Sequence, residues 1–153
     1  MLETDQREIV ELLYQQEMIL GKLYQIFAAK FAEYADFWTD LAGEEARHAE
    51  LIQKLYQAGK KDWVSFREGK IRAQSISTFI EHVKSLAVQA ENDEIDFKSA
   101  VAHTLDLEKS LLEKNVFSRF EAMDARIKEV MIRLENETRK HAAKARSLME
   151  KIL

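Results

Sequence analysis

Apolar residues recur along this chain in alternating steps of three and four, and an acid or a histidine stands in the middle of several of these stripes. The clearest stripe is Trp38, Leu41, Glu45, His48, Ile52, Leu55, with steps of 3, 4, 3, 4 and 3. That period marks the buried face of a helix in a bundle. The centre of such a face ordinarily holds Leu, Ile or Ala. A carboxylate and an imidazole placed there are costly unless something pairs with them. A metal ion is one such partner.

The same pattern predicts four long helices and a short one. The first spans about Asp5 to Phe31, with Asp5 and Glu8 spaced as a capping box. Its stripe is Val10, Leu13, Glu17, Leu20, Tyr24, Phe27, Phe31, with Glu17 at a core position. The second runs from an N-cap at Asp36 to about Gly59. Lys60 to Ile76 contains DWVSFREGK, which has no helical period, and reads as a long crossover. Thr78 with Glu81 opens a short helix to about Ala90. The third long helix starts near Asn92 or Asp93 and reaches about Phe120, with Val101, Leu105, Glu108 and Leu112 inward. The fourth runs from about Asp124 to the C-terminus. Its stripe is Ile127, Met131, Leu134, Thr138, His141, Ala145, Leu148, Ile152.

The two halves repeat. An offset of 93 residues sets Leu41 on Leu134, Glu45 on Thr138 and His48 on His141. Glu17 and Glu108 stand on the first helix of each half. Each half is thus a helical hairpin with a buried Glu on one helix and a His on the other. The expected architecture is all-α: one domain over residues 1–153, a four-helix bundle of two hairpins joined by a crossover with a short fifth helix.

Composition narrows the chemistry. The 153 residues suffice for one sizeable core, and no Pro with only four Gly suits helices. A net charge of −4 with interspersed signs offers no basic stripe for nucleic acid. No apolar run approaches a membrane span, and the acidic start MLETDQREIVE lacks a signal-peptide core, so the expected location is cytoplasmic. Cysteine is absent. Any metal is therefore expected to rely mainly on oxygen and nitrogen ligands, and a four-cysteine iron site is excluded within these residues.

One Glu from each of two helices, with Glu-x-x-His on the others, is the ligand pattern of di-iron helical bundles. The chain supplies Glu17, Glu45-x-x-His48, Glu108 and His141. The stretches EMILGKLY and FWTDLAGEEARHAELIQKL, and more loosely LDLEKSLLEK, resemble the rubrerythrin group of the ferritin-like superfamily. The resemblance covers most of the chain except the crossover. It implies two ions of iron or manganese and an oxidoreductase acting on peroxide, oxygen or ferrous iron. It also implies a homodimer, and an external electron donor, since no donor domain is present.

On that reading Glu17 and Glu45 with His48 hold one ion, and Glu108 with His141 holds the other. Glu137, four residues before His141, is a further candidate ligand, although it is rotated from position 138 by about 100°. Tyr24 reads either as a hydrogen-bond donor to a ligand carboxylate or as core filler. Gly21, one turn past Glu17, reads as space for a ligand or for close helix approach. Glu44 and Glu50 read as solvent-facing, and His82 and His103 as surface residues. Two departures weigh against the full pattern. Thr138 stands where the second Glu-x-x-His needs its Glu, leaving the second site weak or empty. Leu111 stands where rubrerythrins carry an extra Glu. The competing reading is therefore a bundle with a degraded site, serving as a binding or assembly module or as a metal carrier.

Overall fold

The computed structural model describes residues 4–60, 64–66, 73–114, 120–122 and 125–153. The fold is all-α apart from one short ribbon. The helices are α1 (Thr4–Lys30), α2 (Ala35–Lys60), α3 (Ala73–Glu91), α4 (Phe97–Lys114) and α5 (Ala125–Ile152). A single 3-10 turn at Ala32–Tyr34 joins α1 to α2. The ribbon pairs β1 (Val64–Phe66) antiparallel with β2 (Phe120–Ala122), Ser65 opposite Glu121. α1 packs on α2 and on α3, α4 packs on α5, and α2 meets α5.

The apolar stripes are the buried faces. Val10, Leu13, Glu17, Leu20, Tyr24 and Phe27 are buried on α1; Trp38, Leu41, Glu45, His48 and Ile52 on α2; Leu134, Thr138, His141 and Ala145 on α5. On α4 the buried face is turned slightly from the expected one. Thr104, Leu107 and Leu111 join Val101 and Glu108 inside, and Leu105 and Leu112 are half-buried. Leu55, Ile127, Met131 and the Asp5 side chain lie outside the described residues. Near the α1–α2 turn, Phe27, Phe31 and Trp38 pack together and against Phe97 at the start of α4. Tyr34 stacks on Phe97 with ring centroids 4.3 Å apart.

Asp36, expected as the N-cap of α2, lies inside its first turn; three other boundaries differ further from the sequence expectation, each for a local reason. α3 begins at Ala73, not Thr78, because Ile76 belongs to the same buried stripe as Phe79, Ile80 and Val83. Thr78 and Glu81 are therefore exposed positions inside the helix rather than a cap. Asn92 and Asp93 close α3 instead of opening α4. Asp93 takes a left-handed φ of 59°, its N–H bonds Ala90 O, and Glu94 N–H bonds Gln89 O. That pair of bonds is the Schellman stop. Lys30 seals it, donating to Asp93 Oδ1 at 2.8 Å and to Glu91 O at 3.3 Å. The cap of α4 is Asp96, whose carboxylate accepts the Ser99 N–H at 2.8 Å. α4 then ends at Lys114, short of Phe120, which lies in the ribbon. A three-residue strand shows too little alternation to be seen in sequence, and its partner is far away along the chain. Among the described residues no helix is long and apolar enough to cross a membrane.

Candidate metal centre

Four helices place five ionisable side chains at one buried point. Glu17 comes from α1, Glu45 and His48 from α2, Glu108 from α4 and His141 from α5, each at most 1% exposed. Such residues are almost never fully buried unless paired. The helical period puts them there: each occupies a stripe position between aliphatic neighbours that hold the backbone in place.

Glu45 lies between the two imidazoles. Its Oε1 is 3.1 Å from His141 Nδ1 and its Oε2 is 3.3 Å from His48 Nδ1. Glu17 Oε2 stands 4.0 Å from His48 Nδ1, and Glu108 Oε1 stands 3.6 Å from His141 Nδ1. The two rings are stacked with centroids 5.2 Å apart. Both Nδ1 atoms and three carboxylates thus converge. The Tyr24 hydroxyl donates to Glu108 Oε1 at 2.7 Å, which decides between the two readings of that residue. It orients a carboxylate of the centre.

The outer nitrogens have partners too. His48 Nε2 bonds Glu137 Oε2 at 2.7 Å, and His141 Nε2 makes a close contact with Glu44 Oε2. Arg133 donates to Glu137 at 3.1 Å, and Lys144 lies 3.5 Å from Glu44. Each histidine is therefore held from behind by a half-buried acid of the opposite hairpin. Glu137 stands with His48 rather than with Glu108 and His141, so its place differs from the one expected. Glu44 is not solvent-facing, and sequence reasoning missed it. The signal was present: the 93-residue offset that relates the histidines also sets Glu44 on Glu137, each four residues before its His. Glu50 and His82 are exposed and His103 is half-buried.

Thr138 contributes nothing to the centre. Its hydroxyl donates to Leu134 O at 2.9 Å, one turn back on its own helix. Leu111 is core. At Gly21 an added Cβ would meet Glu45 Cβ at 3.6 Å and Ala42 O at 3.7 Å. Those are ordinary contacts, so α1 and α2 are close there but not so close as to demand glycine.

Burial and mutual proximity shift the protonation of every group in the centre. Burial, then the charges of Glu45 and Glu108, push the Glu17 carboxyl well above its ordinary range. Burial and the Glu45 charge raise Glu108 to about 7. Glu45 moves the other way. Burial opposes its ionisation, but the Glu17 carboxyl and both imidazoles outweigh it and hold Glu45 well below the usual carboxylate range. Burial also opposes charge on His141, yet Glu108 and Glu45 raise it to about 11. His48 is raised against burial chiefly by Glu45. Glu137 is lowered, burial opposing, by Arg133 and His48.

Native proteins pair nearly all their buried polar atoms. Among the described residues the unpaired ones are both oxygens of Glu17, one oxygen each of Glu45, Glu108 and Gln16, and His48 Nδ1. All but Gln16 belong to this centre. Glu45 Oε2 and His48 Nδ1 are near each other but not aligned for a hydrogen bond. Oxygen and nitrogen atoms without partners, gathered at one point, are the donor set that a cation could use once it displaced their protons. Glu45, His48 and His141 each offer a ligand atom within 4.8 Å of the others and can hold a metal ion. Comparison of the chain with protein-family models, with curated proteins and with solved structures finds no match in any of the three.

Proposed function

We propose that the protein is a ferritin-like di-metal carboxylate protein of rubrerythrin type, an oxidoreductase acting on peroxide, oxygen or ferrous iron with two ions of iron or manganese. The observation that carries this reading is the cluster of unpaired buried atoms on Glu17, Glu45, Glu108 and His48. A structural polar network would be satisfied internally. This one is satisfied on its outer side, by Glu44, Glu137 and Tyr24, while on its inner side only Glu45 Oε1 and His141 Nδ1 are paired and five atoms are not.

Glu17, Glu45 and His48 would hold one ion; Glu108 and His141, with the second oxygen of Glu45, would hold the other. Such ions would supply Lewis acidity and one-electron redox chemistry. Glu45 neutralises charge between the two imidazoles. Glu44 and Glu137 hold the two Nε2 atoms, so that each ring would turn a neutral Nδ1 inward once a cation displaced the proton there. Tyr24 keeps Glu108 in orientation through its hydroxyl hydrogen bond.

Two divalent ions carry four positive charges against three inner carboxylates. The missing fourth carboxylate is the Thr138 position, an observation that favours the second reading of a single-ion or non-catalytic module. Metal analysis separates the two. Protein produced with iron and manganese and freed of loose metal should carry close to two ions per chain. About one ion would support the degraded site. No bound metal, together with a Glu45→Ala variant as stable as the parent, would end the metal reading. Peroxide consumption by the iron-reduced protein then tests the enzyme.

A further inference from the structure

A second feature lies on the outer side of α1. A groove of about 730 Å³ runs between α1, α2 and α3. That size falls within the usual range of small-molecule sites, roughly 300–1,000 Å³. Its lining is largely apolar, with Met18 and Ile80 on its walls and Gly21, Ala42 and Ala46 where α1 meets α2. Met18 is one of few large apolar side chains left half exposed among the described residues, at 50%. A lone exposed methionine needs no explanation. One that lines a three-helix groove has a reason to remain uncovered.

Three further observations say what the groove takes. Lys22 and Lys84 line it, and Glu17 is the one acid that does so. Lys22 makes no ion pair among the described residues, whereas Lys84 reaches Glu81 only loosely, at 3.4 Å. Glu17 borders the groove but is itself 1% exposed, its carboxylate turned to the inner face of α1, so the two lysines are the charged side chains open to the groove.

We propose that this groove binds a small amphipathic carboxylate, its apolar body over Met18 and Ile80 and its anionic end at Lys22. Binding itself does not depend on metal.

Octanoate is the probe, with octanol as its uncharged counterpart. The chain has five methionines, so a spectrum of methyl-labelled methionine resolves Met18. Octanoate should shift the Met18 signal saturably in the full chain, with and without added iron. Octanol should bind about tenfold more weakly, the worth of one charge-assisted contact, and Lys22→Gln should weaken octanoate by a similar factor. Ala46→Trp, at an exposed position, should fill the groove and abolish the shift while the circular dichroism is unchanged. No saturable shift overturns the proposal, as does equal affinity for octanoate and octanol, or full binding by both variants. Octanoate binding without metal uptake leaves the groove intact and removes the metal reading; metal uptake without octanoate binding does the reverse.

Discussion

Replacing Glu17 with methionine should make the metal-free protein more stable, and the reasoning can be followed through in magnitude. Glu17 is 1% exposed, and neither carboxylate oxygen has a partner. An unpaired buried acceptor costs about 1–3 kcal/mol, and more if charged. Methionine has similar length, fills irregular space and carries no such acceptor. Repacking costs less than about 1.5 kcal/mol for a swap of comparable volume. The net expectation is a gain of about 2 kcal/mol, in line with the replacement of other buried charges by apolar residues. For a chain of this size that corresponds to a Tm higher by roughly 4–8 °C.

The gain should also depend on pH. The Glu17 pKa is raised in the folded state, so its contribution to stability is complete at acid pH and is lost as pH rises. Glu17→Met should therefore gain least near pH 4 and most near pH 8. The assay is thermal unfolding by circular dichroism in chelator at both pH values, repeated with ferrous or manganous ion. A ligand present at a hundred times its Kd stabilises the parent by about 2.7 kcal/mol. The variant should lose most of that. A variant that is less stable than the parent without metal would refute the reasoning, because it would tie Glu17 into the fold rather than to a ligand.

Other expectations follow from the same geometry. Stability of the metal-free parent should fall as pH rises from 5 to 9. Glu108, raised from 4.5 to about 7, costs stability from the lower end of this window up to about pH 7, and His141, raised from 6.5 to about 11, costs it from about pH 6.5 upward, because each keeps a proton that the unfolded chain has given up; a denaturant midpoint that climbs with pH would contradict this. Glu44→Gln or Glu137→Gln should weaken metal affinity by about 10–100-fold in chelator competition while leaving the number of bound ions unchanged. A lost ion would instead make that acid a direct ligand. Thr138→Glu should lower the metal-free Tm by burying a further carboxylate, and should enlarge the rise in Tm on adding metal. A variant with no larger rise would show that the second position is closed for reasons other than the missing acid.

Most of the helical layout was legible in the chain because a buried stripe needs only local spacing. Glu17, Glu45, His48, Glu108 and His141 stood out because each interrupts aliphatic neighbours at that spacing, and all five are buried together. Glu44 did not stand out. It lies one position before Glu45, off the stripe, and its burial depends on His141 arriving from another helix. Glu137 was a candidate, but its direction was not legible. The i+4 spacing suggests its own histidine, whereas the fold turns it to His48 across the interface. The Asn92–Asp93 turn was misplaced because Asn and Asp serve both as helix starts and as left-handed helix stops.

What the sequence by itself determined is therefore periodicity and inventory: the all-α class, which faces turn inward, and a cysteine-free set of oxygen and nitrogen groups on them. What only the tertiary structure decided is pairing. It set which imidazole nitrogen faces which acid and left Thr138 bonded to its own backbone. It also left five atoms of the centre without partners and opened a groove beside Glu17. Spacing along a helix specifies a direction in space. The partner at the end of that direction is set by how helices distant in sequence pack, and packing depends on the whole core at once.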